Sequence, residues 1–492
     1  MLRTVVSSLF GRAPRSSSSR KSLVSRLALE SLEMREVPAA FTWAPQGSSQ
    51  DFYTASNWYV TGSTNRPLVA PRAGDDVTFD GSVTSAPCDD IGVLSPPPPG
   101  GLAMVNPNSG GSGGGTSGLN SLTMKNQYMG TVSVVAPLSI GTMTMNGASS
   151  SAIAQPSEVG GNDITVTTAF TWNNGTLNNT TNLVGIILQG ASTIAPASGG
   201  AVSLGDNITV ANGAALSVAV GTVNVANANE SLTVQSGGAV TINPGLGQTA
   251  TLDNPLINVQ GGGKFTVSSG EFISGGRITN AGTYTQQTNT TAYYSGVAGQ
   301  PVAFLQSGGG TYLYGSTSTT LGLATNPTKN IQVSGGIFDT IVSDGTMSYP
   351  AYVNIKTQDF QITGGDVYIN YVAGVPHQVF GELYVIGDVV WTGGNIHMYV
   401  EGNVNNGAPL NSNDYFLIGG KLYVGQNANL ELVSVVNGVP TAATSGYTWN
   451  IFQASNGIAL AAGTPTYDTA DWLLSVIAIP GGTAANWQLK AQ

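Results

Sequence analysis

Asn207-Ile-Thr-Val210, Leu216-Ser-Val-Ala-Val220, Ser231-Leu-Thr-Val234 and Ala239-Val-Thr-Ile242 follow one another with only short Gly- and Asn-containing segments between them. Each run alternates apolar and small polar residues, so one face is buried and the other solvated. The same pattern extends backwards through Thr131-Val-Ser-Val-Val135 and Asp163-Ile-Thr-Val-Thr167, and forwards through Lys264-Phe-Thr-Val267. Strand and turn recur with no helical period between them, which predicts an all-β fold. Two architectures fit: a β-solenoid, or a series of tandem β-sandwiches.

Internal echoes favour the solenoid. Trp172-Asn-Asn-Gly175-Thr-Leu177 matches Trp391-Thr-Gly-Gly394-Asn-Ile396. Gly-Gly pairs precede strands at Ser274-Gly-Gly-Arg-Ile278, Ser334-Gly-Gly-Ile-Phe338 and Thr363-Gly-Gly-Asp-Val367. Such pairs supply the positive φ that a sharp coil corner needs. The expectation is a right-handed parallel β-helix with a short N-terminal helix. At about 20–25 residues per coil it would have roughly 15–18 coils and a length of about 70–90 Å.

Composition agrees. Glycine supplies 66 of 492 residues and charged residues only 9%, against about 25% charged in an ordinary soluble domain. Disordered chains pair low hydrophobicity with high charge, so 41% hydrophobic residues argue against disorder. Uncharged Thr, Asn, Ser and Val suit stacked coils, because like charges in register repel. Residues 1–40 hold 7 of the 16 basic residues and 3 of the 26 acids, which leaves 9 basic and 23 acidic residues, a net charge of −14, in the remainder. So acidic a body is a poor partner for phosphates, and no nucleic-acid role is expected. One cysteine, Cys88, excludes an intrachain disulfide. No apolar run reaches 18 residues, so no transmembrane span is expected.

Residues 1–40 read as a basic, Ser-rich segment with a helix over about 21–35 that Pro38 stops. Within it, Leu27-Ala-Leu29-Glu30-Ser-Leu32-Glu33-Met-Arg35-Glu-Val-Pro38-Ala39 resembles the planctomycete-type N-terminal motif of exported and surface proteins, roughly L-x-L-E-x-L-E-x-R-x-x-P-A. The resemblance implies export and a location outside the cell or at its surface or envelope. Residues 41–94 read as an N-terminal capping module. Phe41-Thr-Trp43, Ser56-Asn57-Trp58, Pro71 and Gly74-Asp75-Asp76-Val77-Thr-Phe79 resemble the opening module of secreted β-solenoid proteins. Trp43 and Trp58 are expected to cover the open end of the stack, with sugar stacking as the alternative. Residues 95–118 are a Pro/Gly/Ser-rich loop. Gly110-x-Ser112-x-Gly114 and Gly113-x-Gly115-x-x-Gly118 match two catalytic patterns in spacing only, since neither lies between a strand and a helix. Residues 119–409 are the solenoid body. In residues 410–492, Asp414-Tyr-Phe-Leu-Ile418, Thr448-Trp-Asn-Ile-Phe452 and Trp472-Leu-Leu-Ser-Val-Ile-Ala478 resemble the terminal segment of autotransporter-like β-helix passengers, which implies a C-terminal cap.

Chemistry is sparse. His377 and His397 are the only histidines, and Glu382 or Asp388 could join them in a metal site, though packing roles are favoured. The Gly-Gly-x-Gly-x-Asp calcium repeat is absent, so no cofactor is expected and adventitious calcium at turn aspartates is left open. A hydrolase would need two carboxylates about 5–10 Å apart; the candidates are Asp339, Asp359, Asp366, Glu382 and Asp388, with Lys329, Lys356 and Arg277 the cations a lyase would want. Thirteen of the 18 tyrosines fall within residues 284–423. Tyr293, Tyr294, Tyr312, Tyr314, Tyr368, Tyr371, Tyr384 and Tyr399 are candidates for stacking against sugars; ladders between coils are the alternative. The expectation is a non-enzymatic, structural or adhesion-like surface protein, whose partners would be cell-surface glycans or other envelope proteins. The alternatives are a polysaccharide-active hydrolase or lyase and a glycan-binding module.

Overall fold

The structure is a computed structural model. It describes residues 38–492 except 47–48, 85, 92–117, 135–136, 156–163, 180–184, 197–199, 206, 220, 226–229, 253–255, 296–299, 316–318, 323–328, 342–351, 370–379, 403–412, 437–438, 462–464 and 480–482. The helix expected over 21–35 and most of the loop expected at 95–118 lie outside the described residues. The segments expected at 41–94, 119–409 and 410–492 all fall within one unit, Pro38–Gln492.

The fold is all-β, a parallel β-helix. Successive coils pair in parallel: Asn207–Val210 with Ser231–Val234, Ala215–Val218 with Ala239–Ile242, and Ala239–Ile242 with Lys264–Val267. Tandem sandwiches are thereby excluded, because their neighbouring strands would run antiparallel. A typical coil gives two short strands to a 25-stranded sheet and one to a 16-stranded sheet. In the smaller sheet 14 of the strands, from Cys88–Ile91 to Thr448–Ala454, run in parallel order. The larger sheet has a further rung at Ala40–Trp43, so the described residues form fifteen rungs, at the low end of the expectation, because coils lengthen along the chain. Leu216 pairs with Val240, 24 positions on, whereas Phe338 pairs with Val367 and Ile396 with Leu430, at 29 and 34. At about 4.8 Å per rung the stack is roughly 70 Å long.

Alternation places the core. Leu216, Val240, Phe265 and Tyr284 point inward in one register column and are buried. Burying each such side chain is worth about 1.5–3 kcal/mol. Phe265 and Tyr284 stack within this column, with ring centroids 5.8 Å apart and planes 9° from parallel. The core is not wholly apolar. Asn280, Gln286, Gln306 and Thr311 are buried where the coils turn. Asn280 Nδ2 donates to Gln306 Oε1 at 2.7 Å and to the Gly310 carbonyl at 3.1 Å, and Gln286 Nε2 donates to the Thr320 carbonyl at 2.8 Å. These side chains satisfy turn carbonyls that would otherwise be buried without partners.

The two Trp-x-x-Gly echoes build one turn. The Trp172 indole N–H donates to the Gly175 carbonyl at 3.3 Å, and that of Trp391 to the Gly394 carbonyl at 3.2 Å. Both glycines have positive φ. The corners differ, however. Trp172 ends the strand Ile164–Trp172, whereas Trp391 lies inside Asp388–Glu401. The echo is thus one of local turn geometry and not of coil register.

Aromatics fill both ends. Trp43 and Trp58 are fully buried, 4.9 Å apart and edge to face, with Phe52 and Phe79 against Trp58. Gly74, at φ +89°, turns the chain into Asp76–Asp80. Asp75 accepts the Ala39 N–H at 2.9 Å, tying the first strand to this turn. At the other end the smaller sheet stops being parallel: Ala485–Ala491 pairs antiparallel with Thr448–Ala454 and with Trp472–Ala478. Trp449, Trp472 and Trp487 are buried there.

Candidate functional site

The outer face of the larger sheet carries one register column along the whole stack. It begins Thr42, Thr78, Thr123, Thr144, Thr171 and Thr193. It continues Ser217, Thr241, Thr266 and Thr285, so ten successive rungs present a hydroxyl. A β-branched residue suits a pleated, half-buried surface, and Thr adds no charge to repel its neighbours in register. The column then changes character: Thr285 pairs with Tyr312, and Asp339, Tyr368, His397 and Glu431 follow in order. This five-rung strip is where titratable and aromatic groups gather.

His397 is its centre. Nε2 lies 3.1 Å from Asp366 Oδ1, and Nδ1 lies 2.9 Å from Glu431 Oε2. Tyr368 lies flat against the imidazole, with centroids 4.0 Å apart and planes 8° from parallel. Beside it runs a second row. Asn395 Nδ2 donates to Asp366 Oδ1 at 2.7 Å, Asn429 Nδ2 donates to Asn395 Oδ1 at 3.0 Å, and the Thr466 hydroxyl donates to Asn429 Oδ1 at 2.7 Å. Both imidazole nitrogens face carboxylates rather than a hydroxyl or thiol, so the contacts form no nucleophile–histidine pair. The groups bond from rung to rung rather than converging on a point. Among the described residues no group of three or more His, Cys, Asp or Glu is placed to hold a metal ion; His377 lies outside them.

The candidate tyrosines do not form one face. Tyr312, Tyr314, Tyr368 and Tyr399 lie on the larger sheet, Tyr293 and Tyr384 on the smaller one, all half-buried. Tyr294 is in the core, its hydroxyl bonded to that of Tyr284 at 2.9 Å, and burial raises its phenol well above the usual range. Its ring therefore has no face open to a sugar. Tyr371 lies outside the described residues. Tyr368 gives one ring face to His397. Tyr293 is approached by Lys356 Nζ at 5.8 Å from its centroid, and Gly322 stands between them in register, leaving the lysine room to cross.

The carboxylate candidates also separate. Asp339 is buried between rungs that carry Tyr312 and Tyr368. Glu382 is on the smaller sheet, where burial raises its carboxyl above the ordinary value. It pairs in register with Tyr415, whose phenol is pushed up by burial and then by the charge of Glu382. Asp359 and Asp388 are directly in register on neighbouring coils. Burial and then the charge of Asp388 raise the Asp359 carboxyl. Asp388 meanwhile accepts the Lys421 N–H at 2.8 Å, a bond that an asparagine oxygen can also accept.

Asp388→Asn should therefore keep that bond and remove a like-charge pair. The expected gain is about 0.2–1 kcal/mol at neutral pH. A carboxyl with a raised pKa loses stabilisation as it ionises, so the gain should shrink once pH falls below the point where Asp359 is protonated. Thermal unfolding of both proteins across a pH series checks this; an equal difference at pH 7 and in acid would refute the repulsion.

Compared with protein-family models and with curated proteins, the chain matches none.

Proposed function

We propose that the protein is an exported structural component of the cell surface or envelope, adhesion-like in role and without catalytic activity. Its partners are surface glycans or other envelope proteins. The observation that carries the reading is the outer column of the larger sheet: ten hydroxyl rungs followed by Tyr312, Asp339, Tyr368, His397 and Glu431. There the reactive side chains are spent on neighbouring rungs, as in a scaffold. The N-terminal motif at Leu27–Ala39 supports export. Cell fractionation with proteolysis of intact cells tests it. Surface-accessible protein that becomes cytosolic when residues 1–38 are deleted is the expected result, and full-length protein found intact in the cytosol overturns it.

A second reading, a polysaccharide hydrolase, is favoured by one observation. Asp359 and Asp388 are one rung apart, near the carboxyl separation of about 5–5.5 Å that retaining glycosidases use, and one of the two has a raised pKa. New reducing ends released from acidic or neutral polysaccharides, and lost in Asp388→Asn, would replace the structural reading with this one.

A further inference from the structure

The smaller sheet ends on Trp472–Ala478, which bonds Ala485–Ala491 along one edge and, among the described residues, has no strand along the other. An open edge exposes a row of backbone donors and acceptors, and monomeric proteins blunt such edges with charge, proline or a bulge. This strand, Trp-Leu-Leu-Ser-Val-Ile-Ala, contains no charge and no proline, and its pairing with Ala485–Ala491 is unbroken over seven positions. Leu473, Val476 and Ile477 are 46%, 44% and 41% exposed.

We propose that this edge pairs antiparallel with the same strand of a second copy, about a two-fold axis through Ser475. Three features select that partner. The strand is apolar on both sides of Ser475, so the two-fold sets Leu474 against Val476 and Leu473 against Ile477 of the second copy. Apolar cross-strand pairs of this kind are the units that stabilise sheets. Shifting the axis to Val476 would set Ser475 against Ile477 instead. Charge selects the orientation: Asp471 adjoins the strand, and the antiparallel arrangement carries the two Asp471 side chains to opposite ends, whereas parallel in-register pairing would set them face to face. Finally, an isologous contact uses the edge once and closes, giving a dimer and not a fibre. The proposal is independent of where the protein resides.

Light scattering coupled to size exclusion tests it on the full chain at micromolar concentration. The expected mass is twice that of the chain. Ile477→Lys puts a charge on the exposed edge and should give the single-chain mass with an unchanged circular-dichroism spectrum and melting profile. Ser475→Cys tests the register. Directly opposed Cα atoms in an antiparallel pair are about 4.5–5.5 Å apart, within the range a disulfide spans. Mild oxidation should therefore link two Ser475→Cys chains, while Leu473→Cys, set against Ile477, should not link. The native cysteine, Cys88, is buried. A wild-type chain that runs at single mass, or cross-linking as fast in Leu473→Cys as in Ser475→Cys, overturns the proposal.

Discussion

Replacing Gly365 with valine is expected to destabilise the stack by about 2–5 kcal/mol. Gly365 has φ +76°, and a Cβ built there would lie 2.6 Å from the Gly336 carbonyl oxygen. The cost has two parts. A side chain in the left-handed region costs about 1–2 kcal/mol, and forcing atoms into a packed corner adds about 1–3 kcal/mol. The clash cannot relax by a rotamer change, because the obstructing atom is backbone and is itself part of a column. Gly336 and Gly394 have φ +70° and +79°, and a Cβ on each would meet the carbonyl oxygen of the glycine one coil earlier, at 2.5 and 2.6 Å. Gly213→Ala separates the two terms. Gly213 has φ +78° but nothing within 4 Å of a Cβ, so only the backbone term of about 1–2 kcal/mol should remain. Urea unfolding of both variants checks the difference. Equal losses would mean that close stacking of the corners contributes nothing.

That column shows how far the sequence could be read. The Gly-Gly pairs at 335–336 and 364–365 were legible as sharp corners, and Gly336 and Gly365 have the positive φ that such a corner implies. The pair at 275–276 looks the same in sequence, yet neither residue has positive φ. Which corner is sharp depends on the coil beneath it, and composition does not carry that. Strand alternation was equally legible, because Asn207-Ile-Thr-Val210 and its neighbours state inward and outward positions outright. Register was not. Tyr312, Asp339, Tyr368, His397 and Glu431 form one column, but the intervals between them are 27, 29, 29 and 34 residues. No fixed period links them, so His397 gave no sign that Asp366 and Glu431 were its neighbours. The tyrosines misled for the opposite reason. Their clustering in sequence is real, but alternation sends Tyr293 outward and Tyr294 inward from one strand, so closeness along the chain says nothing about a shared face. The one signal available was parity: Tyr312 and Tyr314, two apart, do share a face.

Trp58→Ala should have an effect of similar size, about 3–5 kcal/mol, distributed differently along the molecule. Trp58 is fully buried, its indole N–H donates to the Phe52 carbonyl at 2.8 Å, and it packs edge to face on Trp43, Phe52 and Phe79. Its removal empties the centre of this cluster and leaves an acceptor without its partner. In a stack whose coils touch only their neighbours, the loss is felt first at that end. Amide exchange should therefore accelerate in Ala40–Trp43 and Asp76–Asp80, fade through Gly118–Lys125, and leave Thr448–Ala454 as protected as in the unaltered protein. The gradient discriminates between two roles for this tryptophan. If it were a sugar-stacking residue, truncation would alter ligand binding and leave exchange nearly flat along the chain. If it closes the core, truncation converts the first coils into a frayed end whose exposed apolar faces invite aggregation. Unchanged protection in Ala40–Trp43 would therefore remove the capping role, whatever happened to the melting temperature.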